Sequence, residues 1–180
     1  ILDVASNSGQ PQSTTISLDE SLRGNYMFSG AVVVDTKIVF VPCQADVIAI
    51  LDTTGNDGAG VISTVSLQDK VRGDCKFCGA AVVGDKVYFA PEDADAVGMY
   101  DTAANEGQDE FDVISLEGKV IACDKFMGAA VVGDKVYFAP FDAGVIGVVD
   151  TTANEGAGAF HVLSMEDKVD GEAFFDGAVV

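Results

Sequence analysis

The chain of 180 residues offers four cysteines, one histidine and 29 acidic side chains as candidates for chemistry. Cys75-x-x-Cys78 has the spacing of a redox dithiol or of half a zinc site. A redox dithiol needs a helix N-terminus, where the dipole lowers a thiol pKa, whereas this pair runs into the strand-like stretch FCGAAVV. A four-cysteine zinc site would have to recruit Cys43 and Cys123 from other loops. Free thiols are the default reading, and a disulfide among the four stays open, set by compartment. Asp46, Asp74, Asp93, Asp95, Asp124 and Asp142 could give a calcium ion the oxygen ligands that it prefers. No loop matches a calcium template, because in DTTGNDG Asp57 stands where the tight turn requires glycine. The expectation is a solvated acidic surface without a cofactor, calcium being the one ion it could hold. His161 lies in FHVLSM with no recognisable partner, and triads or histidine-ligated metals need groups that converge. No nucleophile motif, phosphate loop or paired-acid motif stands out.

The elements that must position these groups follow from an internal repeat. GAAVVGDKVYFAP occurs at residues 79–91 and again at 128–140, part of a period of 49. Phe28, Phe77, Phe126 and Phe175 hold that step, as do Asp3, Asp52, Asp101 and Asp150, and Ser17, Ser66, Ser115 and Ser164. Such a period without insertions marks structural repeats. Within each unit, two β-rich runs flank a two-residue hairpin signal at Asp35-Thr36, Gly84-Asp85 or Gly133-Asp134. A short polar loop, a third strand, a Gly/Asn-rich loop and a fourth strand follow. No 3.6-residue periodicity survives for three turns, so the unit reads as a four-stranded meander, the blade of a β-propeller. Identity between copies reflects tandem duplication, tolerated because each blade meets its neighbour in the same way; Gly79 and Ala80 allow close approach and the Phe series packs between blades.

The stretch KVYFAP…VIGVVDTTAN resembles YVTN-type and kelch-like propeller repeats through Tyr88 and Tyr137, Asp101-Thr102 and Asp150-Thr151, and Asn105 and Asn154. The kelch double glycine and any Trp are missing. The resemblance implies a scaffold with variable ligands rather than a fixed chemistry.

Counting by register predicts an all-β single propeller arc over 1–180: a partial blade at 1–27, repeats at 28–76, 77–125 and 126–174, and the start of another blade at 175–180. The ring is incomplete, so the chain is expected to belong to a longer polypeptide or a larger complex. The second-to-third-strand loops and the blade-to-blade connections share one face, where near-identical repeats differ most. Candidate partner-binding residues there are Gln44, Asp46, Glu92, Asp93, Asp95, Phe141, Asp142, Cys75 and Asp124. Ser29, Cys78, Met127 and Asp176 vary likewise after the Phe positions. A net charge of −19 and pI near 4.1 disfavour nucleic acid and anionic membranes and favour a basic protein partner. No apolar run is long enough to insert in a membrane. The acidic, Lys-poor composition points to an extracellular or organelle-lumen setting. The function expected is a non-catalytic protein-interaction scaffold. The alternative is an enzyme, or a divalent-cation- or carbohydrate-binding propeller, using the central channel and further blades.

Overall fold

A computed structural model describes residues 2–3, 12–13, 15–18, 20–67, 69–104, 110–116, 118–154, 158–165, 175 and 177. Strands β1 (Leu2–Asp3) and β2 (Gln12–Ser13) form a two-stranded sheet. Three four-stranded antiparallel sheets follow, each a meander of consecutive strands. The first holds β3 (Phe28–Val34), β4 (Lys37–Pro42), β5 (Val47–Asp52) and β6 (Val61–Ser66). The second holds β7 (Phe77–Val83), β8 (Lys86–Pro91), β9 (Ala96–Asp101) and β10 (Phe111–Ser115). The third holds β11 (Phe126–Val132), β12 (Lys135–Pro140), β13 (Val145–Asp150) and β14 (Ala159–Ser164). We call these sheets blades 1, 2 and 3; they do not close into a ring. Among the described residues the helical content is two three-residue 3-10 turns, and no helix is long and apolar enough to cross a membrane.

The 49-residue step holds in the hydrogen-bond register. Val34 pairs with Lys37, Val83 with Lys86 and Val132 with Lys135, which places the three expected dipeptides at equivalent hairpin tips. The first tip residue has positive φ in each case (51° at Asp35, 58° at Gly84, 59° at Gly133) and the second does not, the φ pattern of a type II′ turn. Asp3 pairs with Gln12 as Asp52 pairs with Val61, so β1 and β2 keep the register of a third and fourth strand. The strand expected from 175 onward, with Asp176, lies outside the described residues apart from Phe175 and Gly177.

The Asp-Thr pairs close the other loop on the hairpin side. The carboxylates of Asp52, Asp101 and Asp150 accept the backbone amide two residues on, at 2.9, 2.9 and 3.1 Å. Thr53, Thr102 and Thr151 donate amide and hydroxyl to the carbonyls of Thr36, Asp85 and Asp134 at the tips. Hydrogen bonds from Thr54 hold the Asp52 carboxyl below its ordinary range; the ammonium of Lys135 does the same for Asp150.

Period-two alternation gives each blade two apolar faces, and the core lies between blades. Phe77, Val87, Phe89, Tyr100 and Phe111 of blade 2 pack against Val39, Val41, Ile48 and Ile50 of blade 1. On its other face Ala81, Tyr88, Ala90, Val97 and Ile114 meet Phe126, Val136, Phe138, Val149 and Phe160 of blade 3. Each buried aromatic is worth roughly 1.5–3 kcal/mol of apolar burial, so these faces dominate cohesion. Phe77 and Phe89 sit with ring centroids 5.5 Å apart, and Phe126 and Phe138 5.8 Å apart. First strands touch neighbouring first strands closely while fourth strands barely meet, a fan that opens outward. At the narrow edge a β-bulge follows each leading Phe. A Cβ on Gly79 would lie 2.7 Å from the Gly128 Cα, and φ at Gly79 is 83°, so glycine is required twice over.

Candidate interaction face

The loops that vary between repeats do gather on one face, opposite the hairpin tips. Each second-to-third-strand loop docks on the residues leading into its own blade. Gln44, Asp93 and Asp142 donate their amides to the carbonyls of Tyr26, Cys75 and Asp124, at 3.1, 2.9 and 3.0 Å. Those three acceptors have left-handed backbones (φ 51°, 46° and 47°), so the chain turns identically at all three whatever the side chain. The same lead-in segments reach back one blade: Lys76 N–H donates to the Cys43 carbonyl and Lys125 N–H to that of Glu92, at 3.1 and 2.9 Å.

Two buried lysines fasten these contacts. Lys76, 1% exposed, directs its ammonium to the carbonyls of Cys43 (3.5 Å) and Gln44 (3.2 Å) and to Asp46 Oδ1 (3.1 Å). Lys125 repeats the arrangement with the Asp93 carbonyl (3.1 Å) and Asp95 Oδ1 (3.7 Å). Sequence reasoning missed both lysines. The available signal was their 49-residue spacing ahead of the leading Phe, with Asp46 and Asp95 each 30 residues upstream. Where Gly144 replaces that Asp, Phe174 replaces the Lys.

A second pair crosses each boundary 32 residues apart in sequence: Cys43 with Cys75, and Glu92 with Asp124. Glu92 is buried, and its carboxyl lies against that of Asp124. Burial first, then Asp124 and Asp93, pushes the Glu92 carboxyl up. Burial also pushes the Cys43 thiol up to about 12, with Cys75, Glu92 and Cys78 adding to it. Cys43 Sγ, Cys75 Sγ and a Glu92 carboxylate oxygen all lie within 4.8 Å of one another. No disulfide links the four cysteines, and the three potential ligand atoms do not include Cys78 or Cys123. Cys78 Sγ instead lies 3.2 Å from Ser29 Oγ across the first strands, and Cys123 is exposed.

The expected site residues therefore divide. Gln44, Asp46, Asp93, Asp95 and Asp142 are exposed on this face; Cys75, Asp124 and Phe141 are half-buried, and Glu92 is buried. Phe141 is thus not a freely exposed aromatic. The exposed apolar side chains here are Tyr26 and Ile121, the latter 91% exposed. Asp46 and Asp95 already serve the buried lysines, and Asp93 Oδ1 accepts the Asp124 amide at 3.0 Å. His161 lies half-buried on β14, the outermost strand of blade 3, opposite Val148.

Two grooves open at equivalent register positions on this face. One, of about 460 Å³, is lined by Asp46, Asp69, Arg72, Asp74 and Lys76 among others. The other, of about 520 Å³, has Asp95, Val120, Ile121, Ala122 and Cys123 in its wall. Arg72, Gly73 and Asp74 in the first give way to Ile121, Ala122 and Cys123 in the second. The scaffold is held constant while the lining changes from charged to apolar.

No family model matches the sequence, and no curated protein matches it. Among solved structures it is similar to selenomethionine-substituted virginiamycin B lyase from Staphylococcus aureus, a β-propeller protein, at TM-score 0.54 and 18% identity over 79% of this chain and 43% of that one. It is similar also to a catalytically inactive variant of that lyase with quinupristin, at TM-score 0.52 and 18% identity over 77% of this chain and 43% of that one. The chain spans less than half the length of these structures. At such identity the likeness shows the fold, a β-propeller.

Proposed function

We propose that the chain is part of a propeller of YVTN or kelch-like type that serves as a non-catalytic interaction scaffold, with the loop face as its binding surface. The observation that carries this reading is the pair of equivalent grooves with different linings, one charged and one apolar. Identical packing between blades leaves such loops free to differ, and recognition is written where the scaffold does not constrain the side chain. The repeats run from 28 to 76, 77 to 125 and 126 to 174, with 1–27 and 175–180 belonging to adjoining blades. Val33 of blade 1 and Val132 of blade 3 are 66% and 64% exposed on the outward faces of the arc, which supports further blades or a larger complex covering them.

The partner on the loop face is a basic protein with an apolar anchor. Acidic residues around the grooves would steer it, and Ile121, Tyr26 and Phe141 offer the apolar and aromatic contacts that carry binding energy. An array of basic peptides with embedded aromatic or aliphatic residues, probed with the full-length protein, tests this. Binding should weaken as salt is added and should drop at least about tenfold in Ile121→Asp and Phe141→Ala. Lys86→Ala, on the opposite face, should leave it unchanged. Equal losses from Lys86→Ala would move the binding surface elsewhere.

The rival reading is an enzyme, towards which the printed activity of the similar structures points, or a propeller binding a divalent cation such as calcium or a carbohydrate at the central channel. Histidines or clustered acids facing the first strands in the remaining blades would favour it.

A further inference from the structure

The groups at the first blade boundary form an unusual set. Cys43 comes from the loop after β4, Cys75 from the connection before β7, and Glu92 from the loop after β8. Three segments, remote in sequence and from two blades, thus bring two sulfurs and a carboxylate oxygen within 4.8 Å of one another. Such a spread is what a tetrahedral ion closes, since zinc–sulfur and zinc–oxygen bonds of about 2.3 and 2.0–2.2 Å hold ligand atoms somewhat under 4 Å apart. Tyr26 holds the register position of Cys75 at the preceding lead-in, and Asp124 holds it at the following one. The next boundary offers Glu92, Asp124 and Phe141 instead, without a thiol. The repeat therefore dictates the backbone geometry and not the ligands.

Glu92 supplies a separate observation. It is one of three buried charged residues described, and the other two, Lys76 and Lys125, point to backbone carbonyls and to Asp46 and Asp95. No lysine or arginine among the described residues forms an ion pair with Glu92. A buried carboxyl whose described neighbours are acids and thiols lacks the cation that burial normally demands.

We propose that Cys43, Cys75 and Glu92 bind a zinc ion across the boundary between blades 1 and 2, with a water or an exchangeable ligand in the fourth position. Two thiolates and one carboxylate suit this borderline-soft ion and not calcium, which takes oxygen ligands only. The thiols give up their protons to solvent on binding, so two thiolates and the carboxylate face the 2+ ion. The ion acts as an inter-blade clasp at the first boundary, whereas the second brings Glu92 against Asp124 without a thiol.

The test is a cobalt titration of the full-length protein, reduced with a phosphine and stripped of metal, followed by zinc displacement. One equivalent of Co²⁺ should produce an intense thiolate charge-transfer band that Zn²⁺ abolishes. Cys43→Ser and Cys75→Ser should each weaken zinc binding by about 100-fold or more and Glu92→Gln by about tenfold, while Cys123→Ser changes nothing. Zinc should also raise the melting temperature of the unsubstituted protein, a readout that needs no variant to fold. Absence of the band in the reduced protein would overturn the site, as would a band that survives Cys43→Ser. Oxidised glutathione converting Cys43 and Cys75 to a disulfide in a protein that binds no cobalt when reduced would assign the pair to redox chemistry instead.

Discussion

At the residue scale, the loop face shows how an exposed side chain can belong to the packing between blades. Asp46 looks like a free surface acid, yet it is the counterion of the buried Lys76 while itself remaining 87% exposed. The two ends of this pair should therefore behave differently. Lys76→Met removes the ammonium from the Cys43 carbonyl, which keeps the Lys76 N–H, and from the part-buried Gln44 carbonyl, and an acceptor left unsatisfied costs about 1–3 kcal/mol. Asp46→Ala leaves the ammonium its two carbonyls and deletes an ion pair with one exposed partner, worth less than about 1 kcal/mol. Urea unfolding of the two variants measures the difference, and equal costs would mean that the ion pair, not the carbonyls, holds the lysine. The size of the side chain is tolerated, because Met27 occupies the equivalent position ahead of β3.

At the element scale, the first strand of each blade is the least replaceable. Gly79 and Gly133 both have positive φ, at 83° and 59°, but they face different surroundings. A Cβ at Gly133 meets nothing within 4 Å, and Asp35 fills the same tip position in blade 1. A Cβ at Gly79 would be driven into the backbone of Gly128 in the next blade. Gly133→Ala should cost about 1 kcal/mol, from backbone strain alone. Gly79→Ala adds a backbone clash and should cost about 1–3 kcal/mol more. Thermal melts of both variants decide it: comparable shifts would show that neighbouring first strands can separate at little cost.

At the scale of the whole molecule, the arc has two outward faces with the same alternation as the buried ones. Tyr88 is fully buried against blade 3, while its equivalent Tyr137 is half-buried on the outward side of that blade. Val132 faces the same way. Several such side chains, at roughly 1.5–3 kcal/mol each, suffice to drive association. Residues 1–180 expressed alone should oligomerise or aggregate in light scattering. A monodisperse monomer with a single cooperative melt would show that the outward faces need no cover.

The sequence by itself determined the β-propeller architecture, the 49-residue register, the hairpin tips and the face on which variable loops collect. Those features are periodic, and a strand's alternation or a glycine at a fixed step is a local property that repetition makes visible. Gly79 was legible for the same reason, since close approach recurs at every boundary. Which variable residues are surface and which are structure was decided only by the tertiary fold. Cys43 and Cys75 stand 32 residues apart, as do Glu92 and Asp124, and meet because adjacent blades stack at a fixed angle. Cys75-x-x-Cys78 drew attention by proximity along the chain, yet strand geometry turns Cys78 towards Ser29, and Cys75 joins Cys43. Burial of Glu92, Lys76 and Lys125 was equally hidden, because a charged side chain in a loop reads as solvated until the neighbouring blade is placed over it.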